Sequence, residues 1–163
     1  MGVMNLTKED LKYIACAIDT EGSLSFGKGK KKDTRLGFHF GLHIDIVNTN
    51  KEWLEYLQSL LLREGCKLEV KDRGLGWREI YSMYIPSTIC RELLPKVLPF
   101  LIIKRRQAEI MIEYWKIRQE RGRKSMYGKE EMKLYEEIKS LNTVSHGGDF
   151  PMQVQEKGVV IRP

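Results

Sequence analysis

Hydrophobic positions in this chain fall into short blocks, and the period changes from block to block. Thr7-Lys8-Glu9-Asp10 reads as a capping box, after which Leu11, Ile14, Ala15 and Ile18 recur on one helical face. Gly22 stands where a left-handed cap residue belongs. Alternation takes over at Ser23, Leu24, Ser25 and Phe26, breaks at a Lys-rich turn, and resumes over residues 35–46. There Leu36, Phe38, Phe40, Leu42, Ile44 and Ile46 share one face, and Arg35, His39, His43 and Asp45 the other. This predicts a long hairpin with one buried and one polar face. Asn50 can cap a second helix that turns Trp53, Leu54, Leu57, Leu60 and Leu61 inward and ends at Gly65. A second hairpin pairs residues 67–71 with 78–85 around a turn at Arg73-Gly74-Leu75-Gly76. Pro86-Ser87 opens a short helix that Pro95 interrupts. A long amphipathic helix is expected over residues 101–119, a break at Arg121-Gly122-Arg123-Lys124, and a last helix over 129–141. Gly147, Gly148, Pro151 and Gly158 point to an extended tail.

The order α-β-β-α-β-β-α-α predicts an α+β layer, with four antiparallel strands carrying helices on one face and leaving the other free. At 163 residues the chain suits one domain, taken as 1–141 with an extension over 142–163, and it contains no internal repeat. With 42% hydrophobic and 31% charged residues it has no apolar run long enough to span a membrane. The N-terminus lacks the layout of a signal peptide, and Leu6 breaks the myristoylation pattern. Cys16, Cys66 and Cys90 are odd in number and match no zinc spacing, so free thiols and an intracellular protein, cytoplasmic or organellar, are expected.

Charge narrows the partners. The net charge is +6, and it is concentrated in two blocks. Lys28, Lys30, Lys31, Lys32, Arg35 and Lys51 outweigh Asp33 and Asp45. Lys104, Arg105, Arg106, Lys116, Arg118, Arg121, Arg123 and Lys124 outweigh Glu109, Glu113 and Glu120. Two such blocks point to a polyanion.

One stretch joins a packing surface to candidate chemistry. Residues 14–22 read I-A-C-A-I-D-T-E-G, in which Ala15, Cys16 and Ala17 are small enough to let a second helix approach. Asp19 and Glu21 then arrive at the helix end, where the backbone dipole favours a cation. The run resembles the signature of the LAGLIDADG homing endonucleases. Trp53, the basic segment Val70-Lys71-Asp72-Arg73-Gly74 and the stretch Pro99-Phe100-Leu101-Ile102-Ile103-Lys104-Arg105-Arg106-Gln107-Ala108 resemble the small homodimeric members, so the likeness covers residues 7–119. Cys16 departs from the family's usual Gly, and Glu21 from its usual Asp; Glu is still a competent oxygen ligand for Mg²⁺.

That resemblance implies the family's fold, α-β-β-α-β-β-α with a saddle-shaped antiparallel sheet and helices on one face, its motif helix at about residues 7–21. It implies cleavage of both strands of a long pseudo-palindromic DNA target. One motif supplies one strand's site, so two copies would pair through Ile14, Ala15, Cys16, Ala17, Ile18 and Asp19. Glu21, with the Thr20 backbone carbonyl, would hold Mg²⁺, and Mn²⁺ or Ca²⁺ could occupy the same site. Lys104 would stabilise charge on the scissile phosphate or help polarise the water. Asn48 falls near the position of a polar residue that holds the attacking water, and Lys51 is a further candidate for the basic pocket.

Base recognition is then expected from Ser25, Lys28, Arg35, His39, His43 and Asp45 on the first hairpin, and Lys71, Arg73, Arg78 and Glu79 on the second. Arg105, Arg106, Arg121, Arg123 and Lys124 are expected to grip phosphates. His39 and His43 lie about 13 Å apart along a strand, too far to share an ion. A DNA-binding regulator without cleavage is a rival reading, disfavoured because Glu21 and Lys104 are both present. An intron-RNA-binding maturase is another, and Phe38 and Phe40, the aromatics that could stack bases, have core parity.

Overall fold

The computed structural model describes residues 5–30, 37–61, 65–71, 78–122 and 126–144. The first helix, α1 (Lys8–Glu21), is capped as its sequence predicts. Thr7 Oγ1 accepts the Asp10 N–H at 3.1 Å, and the Asp10 carboxylate accepts the Thr7 N–H at 2.9 Å. Strand β1 (Gly22–Lys30) follows without an intervening residue, and Gly22 is extended (φ −81°, ψ 152°), not left-handed. Its missing side chain serves close approach: a Cβ there would lie 2.6 Å from the Ile18 carbonyl oxygen.

β1 pairs antiparallel with β2 (Phe38–Asn48), Gly22 opposite Ile46 and Lys30 opposite Phe38. Helix α2 (Lys51–Leu61) leads to β3 (Lys67–Lys71) and β4 (Ile80–Pro86), and the sheet order is β1-β2-β4-β3. Asn50 caps α2 by accepting the Trp53 N–H at 3.0 Å. The alternation places Leu24, Phe26, Phe40, Leu42, Ile44, Ile46, Met83 and Ile85 in the core. Ile14 and Ile18 meet them from α1 at 1% and 0% exposure, each contributing about 1.5–3 kcal/mol.

Helix boundaries differ from expectation, most informatively in the third and fourth helices, while the last helix runs three residues further, to Val144. Helix α3 (Ser87–Val97) runs through Pro95, which sits on the exposed side of its last turn, and then tightens into a 3₁₀ turn at Leu98–Phe100. The carbonyl that a Pro95 N–H would have bonded belongs to exposed Arg91, where water can serve it. Helix α4 (Arg105–Arg121) begins four residues later than the periodicity suggests. The Asp19 carboxylate on α1 accepts the backbone N–H groups of Ile102 and Lys104, diverting them from helix formation. Gly122, at φ +80°, ends α4.

Helix α5 (Lys129–Val144) completes the layer against α4 and β1. Glu131, fully buried, accepts from Arg121 Nη1 at 2.8 Å and from the Gly128 N–H at 2.7 Å. Tyr127 and Tyr135 pack on Phe40, and Asn142 Nδ2 donates to the Leu24 carbonyl at 3.0 Å. The helices of the described residues lie on one side of the sheet, and among those residues nothing covers the face of Ser23, Ser25, His39, His43 and Asp45.

Candidate active site and nucleic-acid face

The end of α1 gathers the charged chemistry. Asp19 is 8% exposed, and its two carboxylate oxygens accept the Ile102 N–H at 2.7 Å and the Lys104 N–H at 2.9 Å. Its backbone carbonyl accepts Lys104 Nζ at 2.5 Å. Burial pushes the Lys104 ammonium below its usual range, while the charges of Asp19 and Glu21 act against that shift. Lys104 is therefore held beside the helix end, within electrostatic reach of Glu21. Glu21 is exposed and has no ion pair among the described residues. Thr20 spends its hydroxyl on the Cys16 carbonyl at 2.9 Å. Its own carbonyl is one that a helix C-terminus leaves without an intrahelical partner. A carboxylate and a free carbonyl are hard oxygen donors suited to Mg²⁺, whose remaining positions are ordinarily filled by water and phosphate oxygens.

Asn48 and Lys51 lie at the same end of the sheet, beyond the Gly22–Ile46 pair. Asn48 Oδ1 accepts the Asn50 N–H at 2.8 Å, shaping the turn into α2, and its amide nitrogen has no partner among the described residues. Lys51 pairs with Glu55 at 3.0 Å, a contact that raises its pKa.

The six residues expected at a helix–helix interface divide sharply. Ile14, Ala15, Ala17 and Ile18 are buried in this chain's own core, and Asp19 is occupied by Ile102 and Lys104. Cys16 is exposed, in line with Lys12 and Thr20 on the outer face of α1. Beside that stripe lies a shallow apolar groove that includes Phe100, with Ile102 85% and Ile103 69% exposed. Burial pushes the thiols of Cys66 and Cys90 up to about 11 and about 12, so neither is a nucleophile or ligand near neutral pH.

On the open sheet face the register aligns Ser23 with Asp45, Ser25 with His43, Gly27 with Gly41 and Gly29 with His39. Lys28 does not belong there. It pairs with Phe40 on the helix side, its Nζ 4.1 Å from the centre of the Phe38 ring. Lys71 is exposed on β3, and Arg78 and Glu79 are exposed just ahead of β4, Glu79 accepting the Tyr81 hydroxyl at 2.5 Å. Arg35, Arg73, Arg123 and Lys124 lie outside the described residues.

The three described arginines expected to hold phosphates sit on the opposite side of the sheet, already paired. Arg106 reaches Glu137 on α5 at 2.7 Å, Arg105 meets Glu109 at 3.5 Å, and Arg121 contacts Glu130 and Glu131. Arg106 and Arg121 join α4 to α5, and Arg105 pairs within α4. Tyr84 was absent from the expected set, yet alternation with Met83 and Ile85 places it outward, beside Asp45. Among the described residues, no three His, Cys, Asp or Glu side chains converge to hold a metal, and no helix is long and apolar enough to cross a membrane.

No protein-family model and no curated protein sequence matches the chain. Solved structures do. The archaeal intron-encoded homing endonuclease I-Vdi141I, complexed with DNA, is 20% identical over 82% of this chain and 84% of its own, with a TM-score of 0.67. The homing endonuclease I-CvuI, complexed with its target in the presence of Ca, is 17% identical over 83% and 85%, with a TM-score of 0.65. I-SmaMI, a LAGLIDADG homing endonuclease bound to cleaved DNA, is 18% identical over 80% of this chain but 42% of its own, with a TM-score of 0.62. The fold is that of the LAGLIDADG homing endonucleases.

Proposed function

We propose that two copies of this chain form a site-specific homing endonuclease that cleaves both strands of a duplex with the help of a divalent metal. The observation that carries this reading is the Asp19–Lys104–Glu21 arrangement at the end of α1, where the sheet begins. Sharing a fold with DNA-cleaving enzymes supports it, because a free antiparallel face over a helical layer can enter a major groove.

Glu21 and the Thr20 carbonyl are the residues suited to hold Mg²⁺. A divalent ion held there would supply Lewis-acid activation of water and charge stabilisation at the leaving oxygen of a phosphodiester. Lys104, fixed through its backbone N–H and Nζ by Asp19, presents positive charge to the scissile phosphate without having to reorganise. Asn48, through its free amide nitrogen, orients the attacking water, and Lys51 adds charge at the same end. Asp19 holds this constellation and does not itself bind metal.

Each chain has one Glu21, so cutting two strands calls for two chains. The contact surface is Lys12, Cys16 and Thr20 with the Phe100–Ile103 groove, not the core residues Ile14, Ala15, Ala17 and Ile18. Cys16 and Thr20, small and four apart, let two α1 helices approach across a two-fold axis. Ile102 and Ile103 leave water on assembly. The test is incubation with a fully randomised duplex library in Mg²⁺ or in EDTA, followed by sequencing of new ends. Metal-dependent cuts in both strands of one long near-palindromic site are expected. Duplex retained selectively but never cut would overturn the endonuclease reading.

A further inference from the structure

We infer that His43, Asp45 and Tyr84 form a single base-reading unit that selects a C·G pair, with Asp45 accepting the cytosine amino group. This deepens the proposed function and rests on it. The three side chains come from β2 and β4 at the middle of the open face. Asp45 stands opposite Tyr84, His43 Nε2 lies 2.9 Å from Asp45 Oδ2, and the His43 ring tilts against the Tyr84 ring at a centroid distance of 5.0 Å. Side chains of His43 and Asp45 are 29% and 24% exposed, so each is confined before any ligand arrives. Ordering them on binding therefore costs little.

The surroundings make the unit stand out. Toward β1 the open face carries Ser23, Ser25, Gly27 and Gly41, which offer almost no side chain to a base edge, while the His39 ring lies against Gly29. DNA can come close there while the His43–Asp45–Tyr84 group projects. Among the described residues, Asp45 Oδ1 and the Tyr84 hydroxyl have no hydrogen-bond partner, so an acceptor and a donor face outward side by side. A carboxylate facing a polyanion is tolerable only if it accepts hydrogen bonds. In the major groove a C·G pair presents the cytosine amino donor beside the guanine O6 acceptor, matching Asp45 and Tyr84 in that order. His43, donating Nε2–H to Asp45, fixes which carboxylate oxygen remains free.

The experiment compares preferences of wild type, Asp45→Asn, Tyr84→Phe and His43→Ala on the randomised duplex library. Asp45→Asn keeps the side chain's shape but adds a donor, which suits adenine. It should change the preferred base at one position of each half-site from cytosine to adenine. Tyr84→Phe and His43→Ala should relax that same position by roughly tenfold or more and leave the others unchanged. Substitutions that alter three different positions, or none while wild type still selects a site, overturn the unit. A shared position that prefers a base other than cytosine overturns the base assignment. A wild-type protein that selects no duplex overturns the endonuclease reading first, and is seen before any variant is compared.

Discussion

Replacing Asp19 with Ala should injure the fold and the chemistry together, by amounts the geometry bounds. Its carboxylate holds two backbone N–H groups, of Ile102 at 2.7 Å and Lys104 at 2.9 Å, from a site only 8% exposed. Hydrogen bonds to a charged group are each worth about 1.5–3 kcal/mol. Water can reach part of the segment once the carboxylate is gone, so the net loss should be about 2–4 kcal/mol, or roughly 5–15 °C in Tm. Urea unfolding at one fixed protein concentration measures it; concentration matters wherever assembly is coupled to folding. Lys104 would also lose the anchor of its backbone, and a displacement of about 1 Å can reduce a rate about 100-fold. Cleavage should fall by about that factor while duplex affinity stays within about twofold. A stability change below about 0.5 kcal/mol, within the range of ordinary surface substitutions, would refute the clamp.

Ile102→Lys and Ile103→Lys should leave the unfolding free energy of the monomer within about 0.5 kcal/mol, because both side chains are already exposed. Sedimentation should nonetheless show loss of the dimer; a dimer of unchanged affinity would remove this groove from the interface. Arg121→Ala should cost about 1–3 kcal/mol by chemical denaturation, since buried Glu131 loses its 2.8 Å partner, yet it should not change the salt dependence of DNA binding. A reduced salt slope would return Arg121 to the phosphate-binding set. The raised thiols of Cys66 and Cys90 set a pH dependence. The folded state binds protons that the unfolded state releases above about pH 9, so their contribution is complete below that pH. It is lost as pH rises toward about 11 and about 12, and urea midpoints between pH 8 and 11 should fall, less steeply in Cys90→Ala. A flat profile would contradict it.

The fold was largely legible because hydrophobic period and core depth coincide. Leu42, Ile44 and Ile46 alternate in sequence and are buried in space, and Thr7 with Asp10 signals a helix start through a contact three residues long. What stayed hidden depends on distant partners. Nothing near Leu101 says that Asp19, more than eighty residues earlier, will take two N–H groups and delay α4. Arg106 and Arg121 look like phosphate ligands until α5 brings Glu137 and Glu131 against them. Lys28 breaks the parity of Ser25 and His43, a signal available from counting alone. The motif helix was readable as a packing helix, but which side packs inward depends on the sheet beneath it. Ile14, Ala15, Ala17 and Ile18 face their own core, and the outward stripe is Lys12, Cys16 and Thr20.

Glu21→Gln, compared with wild type on the duplex site recovered from the library, tests the proposed active site most directly. Binding and cutting are measured side by side in Mg²⁺. Removing one carboxylate charge while keeping its shape should leave affinity within a few-fold and abolish cleavage of both strands. If Glu21→Gln cuts as fast as wild type, the end of α1 is not where the chemistry occurs.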